Sequence, residues 1–191
     1  MSKRSKGKFA FISVITLLFI FILACSGSTP EVKLPNQSTT QTQGQPTNSS
    51  KPIGSARSNP APLGSEVTID NMAILVKEVV SPADDIVVKG NMFNSTPDPS
   101  SRYILVNILV TCKKSTDDKC NLLGFEFKVI DTSGVSHDVE FVAGVAGEFE
   151  AGEFYGGATK SGYLPYMVPK NDNGLILIYS GLLTGEAYLS L

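Results

Sequence analysis

The sequence predicts an all-β domain, an antiparallel sandwich or barrel, preceded by an export segment and a polar stretch. Three observations carry that expectation. Apolar residues alternate with polar ones at a period of two through much of the chain after residue 62. No long stretch there repeats apolar residues at helical spacing, and many short strand-like runs are separated by Gly, Pro, Asn and Asp. Of the 191 residues, roughly 130 remain for folding once the N-terminal segments are set aside, the usual size of one domain. Such a domain buries roughly two-thirds of its unfolded surface, enough for a core without a metal. Trp is absent, so the core rests on Val, Ile, Leu, Phe and Tyr.

Taken in order, residues 1–24 read as a signal peptide. Lys3, Arg4, Lys6 and Lys8 form a basic start, and Phe9 to Ala24 an uncharged, largely apolar run of sixteen, closed by the small residue Ala24 before Cys25. The run is short for a membrane span, which needs about 20 apolar residues. Ile22-Leu23-Ala24-Cys25 resembles the bacterial lipobox, with Ile in place of the commoner Leu and a bulkier Leu23. That resemblance implies cleavage before Cys25, a diacylglyceryl group and so more than one acyl chain on that residue, and an extracytoplasmic protein held to a bacterial membrane. More than one chain is needed for lasting attachment, since each buried CH₂ adds about 0.8 kcal/mol. The alternative is an uncleaved signal anchor with Cys25 as an ordinary thiol. Either way the positive charges stay cytoplasmic and the rest of the chain faces outward.

From Cys25 to Pro62 the chain reads as the lipid-bearing residue and a disordered linker. Ser, Thr, Gln, Asn, Pro and Gly dominate and aromatics are absent, a composition that buries too little apolar surface to offset chain entropy. A flexible coil of that length spans roughly 30 to 35 Å. Asn36, Asn48 and Asn94 each begin an Asn-x-Ser/Thr triplet, incidental in a bacterial chain.

Residues 63–191 form the expected domain. In Arg102 to Cys112, Ile104, Val106, Ile108, Val110 and Cys112 share the core face, while Leu105, Asn107, Leu109 and Thr111 share the other. Phe125, Phe127 and Val129 alternate with Glu126 and Lys128. Asp131-Thr132-Ser133-Gly134 then supplies a turn before Val135, Val139 and Phe141, which predicts a hairpin. Further strands are expected at Glu66–Asp70, Met72–Val80, Ile86–Lys89, Gly162–Val168, Leu175–Tyr179 and Ala187–Leu191. If Cys25 carries lipid, the remaining two of the three cysteines, Cys112 and Cys120, are left to pair as a disulfide around a polar loop. The alternative is two free thiols.

Several stretches together resemble the telokin-like, immunoglobulin-like domain of many bacterial lipoproteins, a domain of unknown function. They are Asn59-Pro60-Ala61-Pro62-Leu63-Gly64 leading into Val67, YILVNILVT, FEFKVIDTSG, and Gly156-Gly157 through GYLPYMVP to LILIY. The resemblance implies an immunoglobulin-like antiparallel β-sandwich displayed outside the membrane for interaction with other macromolecules, and no shared catalytic residues. The loop between Cys112 and Cys120 departs from the family pattern.

The formal charge of −2 hides an asymmetry: four of 16 basic residues precede residue 9, and all 18 acidic residues follow Cys25, leaving 12 against 18 in the mature chain. A balance near −6 disfavours nucleic acid, whose phosphates need clustered Lys and Arg. His137, the one histidine, reads as a structural residue on a strand edge, because a catalytic base needs a nucleophile and an orienting partner and a zinc site several ligands. The acidic groups Glu148, Glu150 and Glu153, Asp84-Asp85 and Asp117-Asp118 match no EF-hand spacing and read as solvated charge. Gly156, Gly157, Ser161 and Gly162 fit no phosphate-binding motif and read as turn residues.

Phe149, Phe154 and Tyr155 in GEFEAGEFYGG are the candidate partner-binding residues, the other reading being that they cap the sandwich. The expected function is thus a non-enzymatic, lipid-anchored interaction module with a protein or glycan partner and no cofactor or metal. An envelope-assembly or stability role is the alternative, and a hydrolase or metal-dependent enzyme with an unrecognised site the rival.

Overall fold

The computed structural model describes residues 29–35, 51–181 and 185–191, so Cys25 and the apolar run Phe9–Ala24 lie outside the described residues. Among the described residues eleven strands follow one another: β1 (Glu31–Lys33), β2 (Glu66–Ile69), β3 (Met72–Val80), β4 (Ser101–Cys112), β5 (Lys119–Leu122), β6 (Phe127–Ile130), β7 (Ser136–Asp138), β8 (Gly152–Tyr155), β9 (Thr159–Pro169), β10 (Ile176–Ser180) and β11 (Glu186–Ser190). One short helix, α1 (Asp84–Gly90), joins β3 to β4. The strands pair antiparallel into a five-stranded sheet β1-β2-β3-β4-β9, a four-stranded sheet β11-β10-β6-β7 and the two-stranded ribbon β5-β8. The architecture is the expected all-β sandwich.

The core lies between the two larger sheets. Ile104, Val106, Ile108, Val110 and Cys112 are all buried there, the face that the alternation in β4 selects. Val67, Ile69, Ile74, Leu164, Tyr166, Phe127, Val129, Leu177, Tyr179 and Leu189 meet them from neighbouring strands. The other face of β4 is also covered: Tyr103 and Leu105 join Ala83, Val87, Val142 and Val145 in a second, smaller cluster under α1.

That helix replaces the strand expected at Ile86–Lys89. The three apolar residues Ile86-Val87-Val88 fit either period; burial against a distant strand selects the helix, and Asp84 and Asp85 in the first turn and Lys89 in the last match its dipole. Ala83 and Val87, four residues apart, then point at Tyr103 and Leu105, while Ile86 faces solvent. The Asp84 carboxylate accepts a hydrogen bond from the Tyr103 N–H at 2.6 Å, tying the helix to β4.

The expected hairpin forms, with Val129 opposite His137, but both arms are shorter than the alternation suggests. Gly124–Glu126 make a 3₁₀ turn in which the buried Glu126 carboxylate accepts the Leu123 N–H at 2.8 Å, and Phe125 is thrown outward. β7 ends at Asp138 because the chain crosses to the other sheet, where the Glu140 N–H bonds the Pro165 carbonyl at 2.8 Å. Val135 and Phe141 are therefore exposed rather than inward-facing.

Two stretches of the expected linker are folded. β1 pairs with β2, Val32 opposite Val67 and packed against the core. Further on, Ala56 and Ala61 are buried, and residue 61 bridges into β11 through Ala61 N–H to Tyr188 carbonyl and Ser190 N–H to Ala61 carbonyl, both 2.8 Å. Backbone ladders need no particular side chain, so a few small apolar residues suffice to dock segments whose composition is otherwise polar.

Cys112 and Cys120 are joined as a disulfide with Cα atoms 5.8 Å apart, closing the loop between β4 and β5.

Candidate functional site

The aromatic trio Phe149, Phe154 and Tyr155 divides. Phe149 and Phe154 are each only 8 % exposed and belong to the main core. The Phe149 ring meets Phe127 edge-on at 6.1 Å, and its N–H bonds the Tyr163 carbonyl at 3.0 Å. On β8 the pleat turns Phe154 inward opposite Cys120 and leaves its neighbour Tyr155 outward, 54 % exposed. Phe149 and Phe154 thus cap the sandwich and cannot contact a partner as exposed anchors. Tyr155 alone stays on the surface, with the Lys119 ammonium 5.2 Å from its ring centre.

A different apolar group stands out from the surface. Met92, Phe93 and Phe141 are 87 %, 86 % and 101 % exposed. Asn91 and Asn94 bracket the first two in a tight turn: the Phe93 N–H bonds the Asn91 side-chain oxygen at 2.9 Å, and the Asn94 N–H the Asn91 carbonyl at 3.1 Å. The Asn94 side chain then fastens this turn to the loop that carries Phe141. Its amide nitrogen donates to the Val87 and Ala143 carbonyls at 2.7 and 2.8 Å, and its oxygen accepts the Ala143 N–H at 3.0 Å. Below this staple the two backbones touch. Gly144 lies at φ +78°, and a Cβ there would fall 2.2 Å from the Gly90 carbonyl oxygen.

Sequence reasoning missed this surface, because Met92-Phe93 reads as two apolar residues in an ordinary loop and Phe141 as an inward strand position. The one signal available was an apolar pair set between two turn-forming Asn residues. Asn94→Ala should release the staple and cost about 1 to 2 kcal/mol, three hydrogen bonds at a partly exposed site, with faster amide exchange across residues 91–94 and 141–144 as the readout.

His137 sits partly buried on the edge strand β7, its Nε2 3.1 Å from Asp131 Oδ2. Ser133 donates its hydroxyl to Asp131 Oδ1 at 2.6 Å, and the Val135 N–H bonds the same oxygen at 2.8 Å. A hydrolytic triad needs the imidazole between the hydroxyl and the carboxylate. Here Ser133 and His137 both grip the carboxylate, which makes the arrangement a clasp on the β6–β7 turn. The Ser133 hydroxyl foremost, then the His137 ring and the Val135 N–H, hold the Asp131 carboxyl well below the usual Asp range, against the opposing effect of desolvation. Folding therefore favours the ionised form. Its contribution is complete above the ordinary Asp value near ~3.9 and is lost as pH falls toward the depressed native value. Asp131→Asn should make the acid limb of a pH-stability curve shallower, measured as unfolding midpoints between about pH 5 and pH 2.

An open cleft of about 290 Å³ lies where β3 ends and β4 begins, lined by Val79, Ser81, Arg102, Asp172, Asn173, Leu175 and Leu191. The Arg102 guanidinium is engaged by the Lys170 and Asp172 carbonyls, both at 2.5 Å. Among the described residues no group of three or more His, Cys, Asp or Glu side chains is placed to hold a metal ion. Glu153 pairs with Lys119 at 2.9 Å and Asp85 with Lys89 at 2.8 Å, while Glu148 and Glu150 are exposed. Among the described residues no helix is long and apolar enough to cross a membrane.

Known structures share the fold at low identity. The yjhA protein of Bacillus subtilis superimposes with a TM-score of 0.52 at 15% identity, covering 69% of this chain and 99% of that one. The ycdA protein of the same organism, described as a candidate lipoprotein, gives a TM-score of 0.51 at 13% identity over 66% of this chain and only 38% of its own. No curated protein matches. Residues 61–188, from the Ala61 bridge to β11, match the family described as Domain of unknown function (DUF4352), and the chain belongs to that family.

Proposed function

We propose that this protein is a non-enzymatic interaction module, held outside the cytoplasm by acyl chains on Cys25, that docks a protein partner on Met92, Phe93 and Phe141. The carrying observation is that these three large apolar side chains stand 86 % to 101 % exposed on loops fixed to each other by Asn94. Left in water, each forgoes roughly 1.5 to 3 kcal/mol of burial. The turn that presents them is already ordered, so docking needs little further immobilisation. Phe and Met carry no polar tip for sugar hydroxyls, which favours an apolar pocket on a protein over a glycan. The anchor reading is supported by the basic start, the apolar run Phe9–Ala24 and the Ile22-Leu23-Ala24-Cys25 motif.

The test joins mass and binding. Intact protein from its native membrane should have a mass beginning at Cys25 plus acyl chains, and Cys25→Ala should lose them. Photocrosslinking from position 93 in intact cells should yield a discrete adduct. Phe141→Ser combined with Met92→Ser should reduce it at least tenfold, as truncated interface anchors do, with the unfolding midpoint unchanged. Equal adduct yield with and without the two changes would sink the docking surface.

A further inference from the structure

The direction of β1 says which end of the sandwich lies toward the membrane. Resting on acylation of Cys25, we infer that the end carrying the disulfide loop faces the bilayer, Lys113 and Lys114 against phospholipid headgroup phosphates and Tyr155 at the interface.

The argument begins with register. Lys33 pairs with Glu66 and Glu31 with Thr68; the next residue of β2, Ile69, lies opposite Met72, which lies opposite Cys112. The chain preceding Glu31 therefore runs toward the Asp70–Asn71 turn and the disulfide. Val32, packed against the core and over Gly54, fixes β1 in that place. Cys25 precedes Glu31 by six residues, a reach of at most about 20 Å even fully extended. The lipid thus attaches near that end, much closer than a linker running unbroken to residue 62 would bring it.

At that end a headgroup layer would meet three ammonium groups and the Tyr155 ring, with the carboxylates of Glu66, Asp70, Asp117, Asp118 and Glu153 among them. Residues 113–119 are exposed and include Lys113, Lys114 and Lys119. Lys113 makes a long ion pair with Glu66 at 3.5 Å, Lys119 pairs with Glu153, and Lys114 donates to the Lys119 carbonyl at 2.8 Å. Among the described residues Lys114 has no carboxylate within ion-pair distance. The loop also holds Asp117 and Asp118, the latter taken by the Ser115 hydroxyl at 2.6 Å. Tyr155 stands beside Lys119, an amphipathic ring next to an ammonium, the pairing that populates membrane interfaces.

The platform is rigid. The disulfide closes it, the Gly156 N–H bonds the Asp118 carbonyl at 2.9 Å, and a Cβ on residue 156 would fall 1.9 Å from the Ser115 carbonyl oxygen. Conversely, α1 covers Tyr103 and Leu105, seven to nine residues along β4 from Cys112, roughly 23 to 30 Å away at strand rise. Met92 and Phe93, just past α1, are then carried on the part of the domain remote from the lipid.

Because the chain has no Trp, single Trp replacements report depth without interference. The acylated full chain, its mass verified, is reconstituted in phosphatidylcholine vesicles containing 30% phosphatidylglycerol as a roughly bacterial charge, with and without brominated lipid. Tyr155→Trp should be quenched at least threefold more strongly than Phe93→Trp. Val32→Asp, which undocks β1, and separately Lys113→Glu with Lys114→Glu, should each at least halve that difference. Equal quenching at the two positions, or stronger quenching at 93, overturns the orientation. Blue-shifted emission from the Tyr155→Trp variant that bromolipid does not quench also overturns it, since a second copy of the protein then covers this end. A mass without acyl chains overturns the anchor reading itself, and the orientation with it.

Discussion

Phe127→Ala should lower the stability of the domain by about 4 kcal/mol, the middle of the range for truncating a buried aromatic. Phe127 opens β6 fully buried, with the Tyr179 ring 5.3 Å and the Phe149 ring 6.1 Å from its own. Removing it takes away the transfer free energy of the ring and leaves a hole that two neighbouring strands, pinned by their ladders, cannot close. It also removes the surface against which Phe149 packs, so the segment around residues 147–151 should exchange its amides faster. Phe127→Leu, which fills most of the space, should cost about 1 to 1.5 kcal/mol. Denaturant unfolding measures both. A loss under about 1.5 kcal/mol for the Ala variant, below the usual range for such a truncation, would show that the site collapses and that Phe127 is not the centre of this core.

Replacing Cys112 and Cys120 together by Ser should cost about 2.5 kcal/mol through the loop of about nine residues the bond closes. For a domain of this size that is a fall of roughly 10 °C in Tm. Both half-cystines are buried in the main core, so two hydroxyls are placed where sulfur packed, and the loss should sit at or above the chain-entropy figure. Adding reductant to the native protein should approach the same midpoint as the double variant. If reductant leaves Tm unchanged while the variant falls, the cost lies in the buried hydroxyls rather than in the cross-link.

Legibility followed the local period. The bounds of Met72–Val80 and the inward face of β4 are readable to the residue; in β4 one face is buried from Ile104 to Cys112, while in β3 the period of two holds from Met72 to Val76 and a bulge before Glu78 then breaks it. Ile86–Lys89 was too short to separate periods, and its helix is settled by Tyr103 and Leu105 on a distant strand. β1 was hidden because its stability comes from the β2 backbone and one side chain, Val32, inside a polar stretch. Of the candidate site, Tyr155 was visible as an exposed aromatic. For Phe149 and Phe154 the sequence leaves partner binding and capping both open, because a glycine-rich loop gives no register until the strands it pairs with are known. Met92, Phe93 and Phe141 were invisible as a group: the Asn94 contacts that unite them span 49 residues.

Asn94 also opens the triplet Asn94-Ser95-Thr96, an acceptor for N-linked sugar wherever the machinery for it exists. Both hydrogens of its amide are committed, to Val87 and to Ala143. A glycan joined to that nitrogen during synthesis would replace one of them before the turn had closed. Secreted from a eukaryotic host, the molecule would then emerge with these two loops unlatched and a sugar beside Met92 and Phe93, correctly folded in its sheets but altered on that surface. Recombinant supply for binding work therefore belongs in a bacterial host, or in one where Ser95 is kept and Thr96 is exchanged for Ala.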